Sequence, residues 1–109
     1  MQETWNEKDW KLFRSRIADW QEAYIDRLNQ EYIRILTGSG NPSDRFWTLY
    51  HHIQKDKKSF GVQCQLSRNN MMLIMLSMLR SGVITIEQLD GFSEELIGQM
   101  REILERRFD

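Results

Sequence analysis

NEKDWKLFRSRIADWQEAYIDRLNQEYIRIL, residues 6–36, is the stretch whose reading decides the fold class. Apolar residues recur at Trp10, Phe13, Ile17, Trp20 and Tyr24, in steps of three and four that keep one face of a helix. Leu28, Tyr32, Ile35 and Leu36 continue the stripe with some rotation. Asn6 and Asp9 have the spacing of a capping box with Asp in place of Glu, and Trp5 and Trp10 that of a hydrophobic staple around it. Glu7 and Lys11 are spaced to pair on the polar side. Gly38-Ser39-Gly40 supplies the stop. Such a helix of ~30 residues would be ~45 Å long, more than a small domain spans. Either it breaks near Ala18-Asp19, where Asp19 and Glu22 can form a second cap, or it overhangs and meets a partner.

Outward from this stretch, helical signals recur. Asn41-Pro42 with Asp44 opens a second helix. Phe46, Leu49, Tyr50 and Ile53 form its expected inner face, and Lys55-Asp56-Lys57-Lys58 its end. Residues 59–66 are the least helical: Val62, Cys64 and Leu66 alternate with Gln63 and Gln65. With no second strand to pair with, an extended loop is expected there. Ser67 can cap a third helix ending at Gly82, whose Met71, Met72, Leu73, Ile74, Met75, Leu76, Met78 and Leu79 cover nearly every side. A helix apolar all round is normally a central one. Thr85 and Gln88 suit a short capped turn. Ser93 caps the last helix, with Leu96, Ile97, Met100, Ile103, Leu104 and Phe108 inward and a Glu102–Arg106 pair outside. The expectation is all-α: a single helical domain over 1–109, a compact bundle of four to five helices with a long N-terminal helix and one extended loop near 59–66.

Bulk properties narrow the function classes. The chain has 109 residues, 40% hydrophobic and 28% charged, with net charge -1. That is neither a disordered nor a membrane composition. Charge is uneven: -1 over residues 1–37, +3 over 38–70 and -3 over 71–109. A lone Cys64 allows no internal disulfide. The start of the chain lacks a secretory pattern, and the apolar run from Met71 is far short of the ~20 residues of a spanning helix. A cytoplasmic location, with no membrane role, is expected.

Candidate chemistry is thin. His51 and His52 are adjacent, so on a helix they point ~100° apart and make no metal pair. His52 and Asp56 have ligand spacing, but two ligands are too few. Cys64 could be a nucleophile beside a histidine, although its alternating apolar setting favours burial. The segment from Gly82 to Gln88 resembles half of a calcium-binding helix-loop-helix, but its ligand positions fall on Ser77, Leu79, Ser81 and Gln88. A helix-turn-helix over 68–107 would present Glu94 and Glu95 to phosphates, which opposes binding. No catalytic residue, metal or cofactor is expected, and hence no enzyme. The methionines Met71, Met72, Met75 and Met78 read as core before docking groove.

Trp20-Gln-Glu, Leu28-Asn-Gln-Glu-Tyr-Ile33, Gly40-Asn-Pro-Ser43 with Phe46-Trp47, Lys55-Asp-Lys-Lys58, Gly82-Val-Ile84 and Phe92-Ser-Glu-Glu-Leu96 together cover most of the chain. This pattern resembles a group of short uncharacterised helical proteins of Gram-positive bacteria, some labelled as transporters. The lack of a spanning segment argues against that label here. The resemblance implies a bacterial source and an accessory or mobile-element context, and brings no catalytic residues.

Two uses of the surface remain. The first is a protein-binding module, an accessory regulator or inhibitor, whose partner meets an aromatic face at Trp10, Phe13, Trp20 and Tyr24. The same face could instead pair two copies as a homodimer. The second is association with nucleic acid through the basic segment 45–68, carried by Arg45, Lys55, Lys57, Lys58 and Arg68.

Overall fold

The structure, a computed structural model, describes residues 6–106. Trp5 and Phe108, given roles above in the staple and the last stripe, lie outside the described residues. Within them every regular element is helical and no strand occurs. The α-helices are α1 (Glu7–Leu36), α2 (Pro42–Asp56), α3 (Met71–Arg80) and α4 (Glu94–Arg106), with 3-10 turns at Arg68–Asn70 and Ile86–Leu89. The chain resolves into two compact units, one of Met1–Ala18 with Gln65–Asp109 and one of Asp19–Cys64.

Helix α1 is unbroken over 30 residues, which decides between the two readings in favour of the continuous helix. No Gly or Pro interrupts it, and Asp19 and Glu22 stay in helical backbone as exposed surface. What changes at Ala18-Asp19 is the unit to which the helix belongs.

In the first unit the α1 stripe enters a dense core. Phe13, Met71, Met75, Met78 and Leu89 are fully buried, with Trp10, Ile17, Ile74, Val83, Ile84, Phe92, Leu96 and Met100 around them. Methionines fill this space because the unbranched thioether adapts to irregular gaps. The start of α1 is capped as the spacing predicts: Asp9 N donates to Asn6 Oδ1 at 2.7 Å. Asp9 does more than return that bond. Its buried carboxylate accepts from Asn6 Nδ2 (3.0 Å), from Ser93 N (2.9 Å) and from Ser93 Oγ (2.6 Å). Ser93 Oγ in turn accepts from Leu96 N at 3.2 Å, capping α4. One carboxylate thus ties together the starts of two helices, where the positive helix ends favour it.

Helix α3 ends in a Schellman motif. Val83 N donates to Met78 O at 2.8 Å and Gly82 N to Leu79 O at 3.4 Å, with Gly82 at φ 81°. Ser67 caps the 3-10 turn that leads into α3, through Asn70 N at 3.2 Å. Glu7 does not pair with Lys11; its carboxylate takes two bonds from Arg68, at 2.8 and 3.2 Å. Those bonds hold the Glu7 carboxyl below its ordinary pKa.

The second unit is a helical hairpin. The last 18 residues of α1 and all of α2 run antiparallel around the turn at 37–41. Arg45 Nη1 donates to Gly38 O and Gly40 O, both at 2.9 Å, closing that turn. Asn41 stands at the N-cap of α2 but makes no side-chain cap bond. Further along, Tyr32 Oη donates to Asp56 Oδ2 at 2.7 Å, and Gln21 Nε2 to Phe60 O at 2.8 Å. Burial, and then the bond to Asp56, keep the Tyr32 phenol protonated well above its ordinary range. Residues 59–66 form turns and extended chain as expected, with Val62 and Cys64 half-buried and Leu66 exposed.

Candidate interaction surface

The aromatic face proposed from α1 is not available to a partner. Trp10, Phe13 and Trp20 are 5%, 0% and 7% exposed within the single chain, and Tyr24 is half-buried, its ring carrying the Arg27 guanidinium at 5.3 Å. Two more guanidinium groups, those of Arg14 and Arg68, lie 5.7 and 5.5 Å from the Trp10 ring. Its indole Nε1 is buried without a hydrogen-bond partner. In the first unit the Met-rich α3 and the segment from Val83 to Met100 share a buried core with Trp10, Phe13 and Ile17, which the wheel of α1 alone could not reveal.

The unsatisfied apolar surface is on the hairpin. Phe46, Trp47, Tyr50 and Ile53 of α2 are 57%, 54%, 44% and 41% exposed, and Ile33 and Leu36 of α1 are 52% and 47% exposed. No residue of α2 is buried. Phe46, Tyr50 and Ile53 were expected to face inward, but each helix of a two-helix layer has one neighbour, and α2 gives it Arg45, Leu49, His52 and Asp56, which are half-buried. The aromatic rings interlock along the surface. Phe46–Trp47, Trp47–Tyr50 and Tyr50–His51 have centroids 5.0, 5.6 and 5.5 Å apart, all edge to face. This geometry stiffens the face and presents ring edges and faces to whatever covers it.

Helical phase puts the patch on one side of the hairpin. On α1, Ile33 and Leu36 lie clockwise of the inner row Leu28–Tyr32, and in an antiparallel pair the same sense on α2 leads from Leu49 to Phe46, Tyr50 and Trp47. These five side chains therefore lie on one side of the hairpin, and Ile53 continues that side in the last turn of α2.

The basic group does not hold together. Arg45 is spent on the carbonyls of the α1 end and Arg68 on Glu7. Lys55, Lys57 and Lys58 remain exposed. Three lysines at the end of α2, with Asp44 and Asp56 on that helix, make a poor phosphate track.

The residues singled out for chemistry are also dispersed. Asp56, the one neighbour at ligand spacing from His52, accepts from Tyr32. Among the described residues no group of three His, Cys, Asp or Glu could hold a metal ion. Cys64 Sγ lies 3.6 Å from the Gln21 amide, and burial raises the thiol pKa against a smaller lowering by that amide. The apolar crease between the hairpin helices, lined by Ile25, Leu28, Tyr32, Ile53 and Val62, has a volume of about 170 Å³, below the ~300 Å³ where small-molecule pockets begin. Among the described residues no helix is long and apolar enough to cross a membrane.

Comparison with protein-family models, with curated proteins and with solved structures finds no match to this chain.

Proposed function

We propose that the protein is a non-enzymatic, cytoplasmic protein-binding module whose interaction surface is the exposed aromatic side of the hairpin. One observation carries this reading. A 15-residue helix bearing Phe46, Trp47, Tyr50 and Ile53 has no buried residue. Helices in folded proteins are held chiefly by burying an apolar face, not by propensity, and contiguous exposed apolar area of this size usually marks an interaction site. Aromatic residues anchor such sites, because each buries much surface with few rotatable bonds. The accessory regulator or inhibitor expected from the sequence keeps its chemistry and moves from Trp10 and Trp20 to Phe46, Trp47 and Tyr50.

A photo-crosslinking amino acid placed at Trp47, at Tyr50 and, as control, at the exposed Gln99 of α4 tests the assignment in the cells that make the protein. Crosslinked products at 47 and 50 and none at 99 are expected. No product at either hairpin position overturns the reading.

A further inference from the structure

We propose that the occupant of the hairpin face is a second copy of the same chain, related by a two-fold axis that runs along the hairpin. The two turns then lie at the same end, and α1 of each copy faces α2 of the other. This inference rests on reading the face as an interaction surface.

The first argument is architectural. A two-helix layer has no interior of its own, and two such layers laid face to face make a four-helix bundle. The second is area. Taking ~200 Å² for a large side chain when fully exposed, the half-exposed Ile33, Leu36, Phe46, Trp47, Tyr50 and Ile53 offer ~600 Å² on each copy. A standard interface uses ~800 Å² per partner, so this face alone supplies most of one.

The third argument is charge, and it selects the geometry. On the α1 wheel Glu22 and Asp26 lie within ~20° of Ile33, further from the turn. Past the end of α2, Lys57 at its C-cap borders the crease beside Ile53, and Lys58 follows in the turn; both are exposed and lie away from the turn at 37–41. The face is thus apolar toward the turn, with acids on α1 and bases just past the end of α2 at the open end. A two-fold axis along the hairpin sets apolar on apolar, and Glu22 and Asp26 of each copy against Lys57 and Lys58 of the other. The alternative axis, across the helices, would lay charges on aromatic rings. Opposed charges of this kind fix register and orientation more than they add affinity.

Light scattering and sedimentation of the purified full chain over a dilution series test the proposal. The wild type is expected to be a dimer. Trp47→Asp and Tyr50→Glu should each give a monomer with unchanged helical circular dichroism. The pair Glu22→Lys with Asp26→Lys should weaken association about tenfold, as should Lys57→Glu with Lys58→Glu. All four changes together should restore it, which a merely folding-defective variant would not do. A wild-type monomer at every concentration overturns the proposal, and a quadruple variant no tighter than the doubles overturns its geometry. If the chain is monomeric yet crosslinks a foreign protein at Trp47, the self-pairing is wrong and the interaction surface stands. If it is monomeric and crosslinks nothing, both fail.

Discussion

Replacing Asp9 with Ala isolates the carboxylate that joins the starts of α1 and α4. The side chain is 2% exposed and accepts three hydrogen bonds, one from Asn6 Nδ2 and two from Ser93. Hydrogen bonds to a charged group contribute ~1.5–3 kcal/mol each, and a donor left unsatisfied costs ~1–3 kcal/mol. Asn6 is exposed and finds water once the carboxylate is gone. Ser93 is half-buried at the first turn of α4, so its N–H is only partly recovered by solvent. Against these losses, the variant no longer desolvates a carboxylate. The balance is a destabilisation of ~3 kcal/mol, a large share of the ~5–15 kcal/mol that holds a small domain together. Asp9→Asn keeps the shape and one acceptor oxygen, so about half that loss is expected. Urea unfolding at neutral pH, followed by circular dichroism and tryptophan fluorescence, measures both. A loss under ~1 kcal/mol for Asp9→Ala, or equal losses for Ala and Asn, would refute the idea that the carboxylate bridge holds the two caps.

Three further outcomes follow from single features. Phe13→Ala, at a fully buried site, should cost ~3–5 kcal/mol, whereas Trp47→Ala, at a half-exposed one, should leave the denaturation midpoint of the monomer within the range of ordinary surface changes. Gly91→Ala should destabilise more than Gly82→Ala in thermal melts. Both have positive φ, but a Cβ at 91 meets Arg16 Nη2 at 2.8 Å and Leu12 Cδ2 at 3.3 Å, while a Cβ at 82 meets nothing within 4 Å. Because burial and the bond to Asp56 raise the Tyr32 pKa above its ordinary value of about 10 in the folded state, its contribution to stability is complete below that pH and is lost as pH rises toward the folded value. Tyr32→Phe should therefore flatten the alkaline loss of stability, and the phenolate absorbance it removes should develop only well above pH 10.

The caps and stops were legible because they are local. Asn6 with Asp9, Ser93 with Leu96, and Gly82 after α3 depend on residues three or four apart, so spacing alone announces them. That Asp9 also serves Ser93, 84 positions away, has no local signature. The stripe of α1 was legible too, but not its fate. A wheel shows that Trp10, Phe13 and Trp20 share a side, and only packing decides whether the chain's own α3 and α4 or a partner cover it. The same limit misplaced Phe46, Tyr50 and Ile53. Their spacing promises an inner face, while the hairpin offers α2 just one neighbouring helix. The change of unit at Ala18-Asp19 left a trace, the cap-like Asp19 and Glu22 and the rotated stripe. Without a Gly or Pro, that trace could not become a break.

Helix α1 has one backbone and two sources of support. Its first twelve residues are held by a buried core, and the rest, beyond the buried Trp20, by a single layer of half-buried contacts. Amide protons along it should accordingly report two opening reactions. Those up to Ala18 exchange when the Phe13–Met75 core opens, while those near Ile33 exchange through unzipping of the hairpin, at lower free energy. Covering the hairpin face would slow only the second class. The protection profile of one helix would then register occupancy of a surface beyond its midpoint, with the first turns serving as an internal standard.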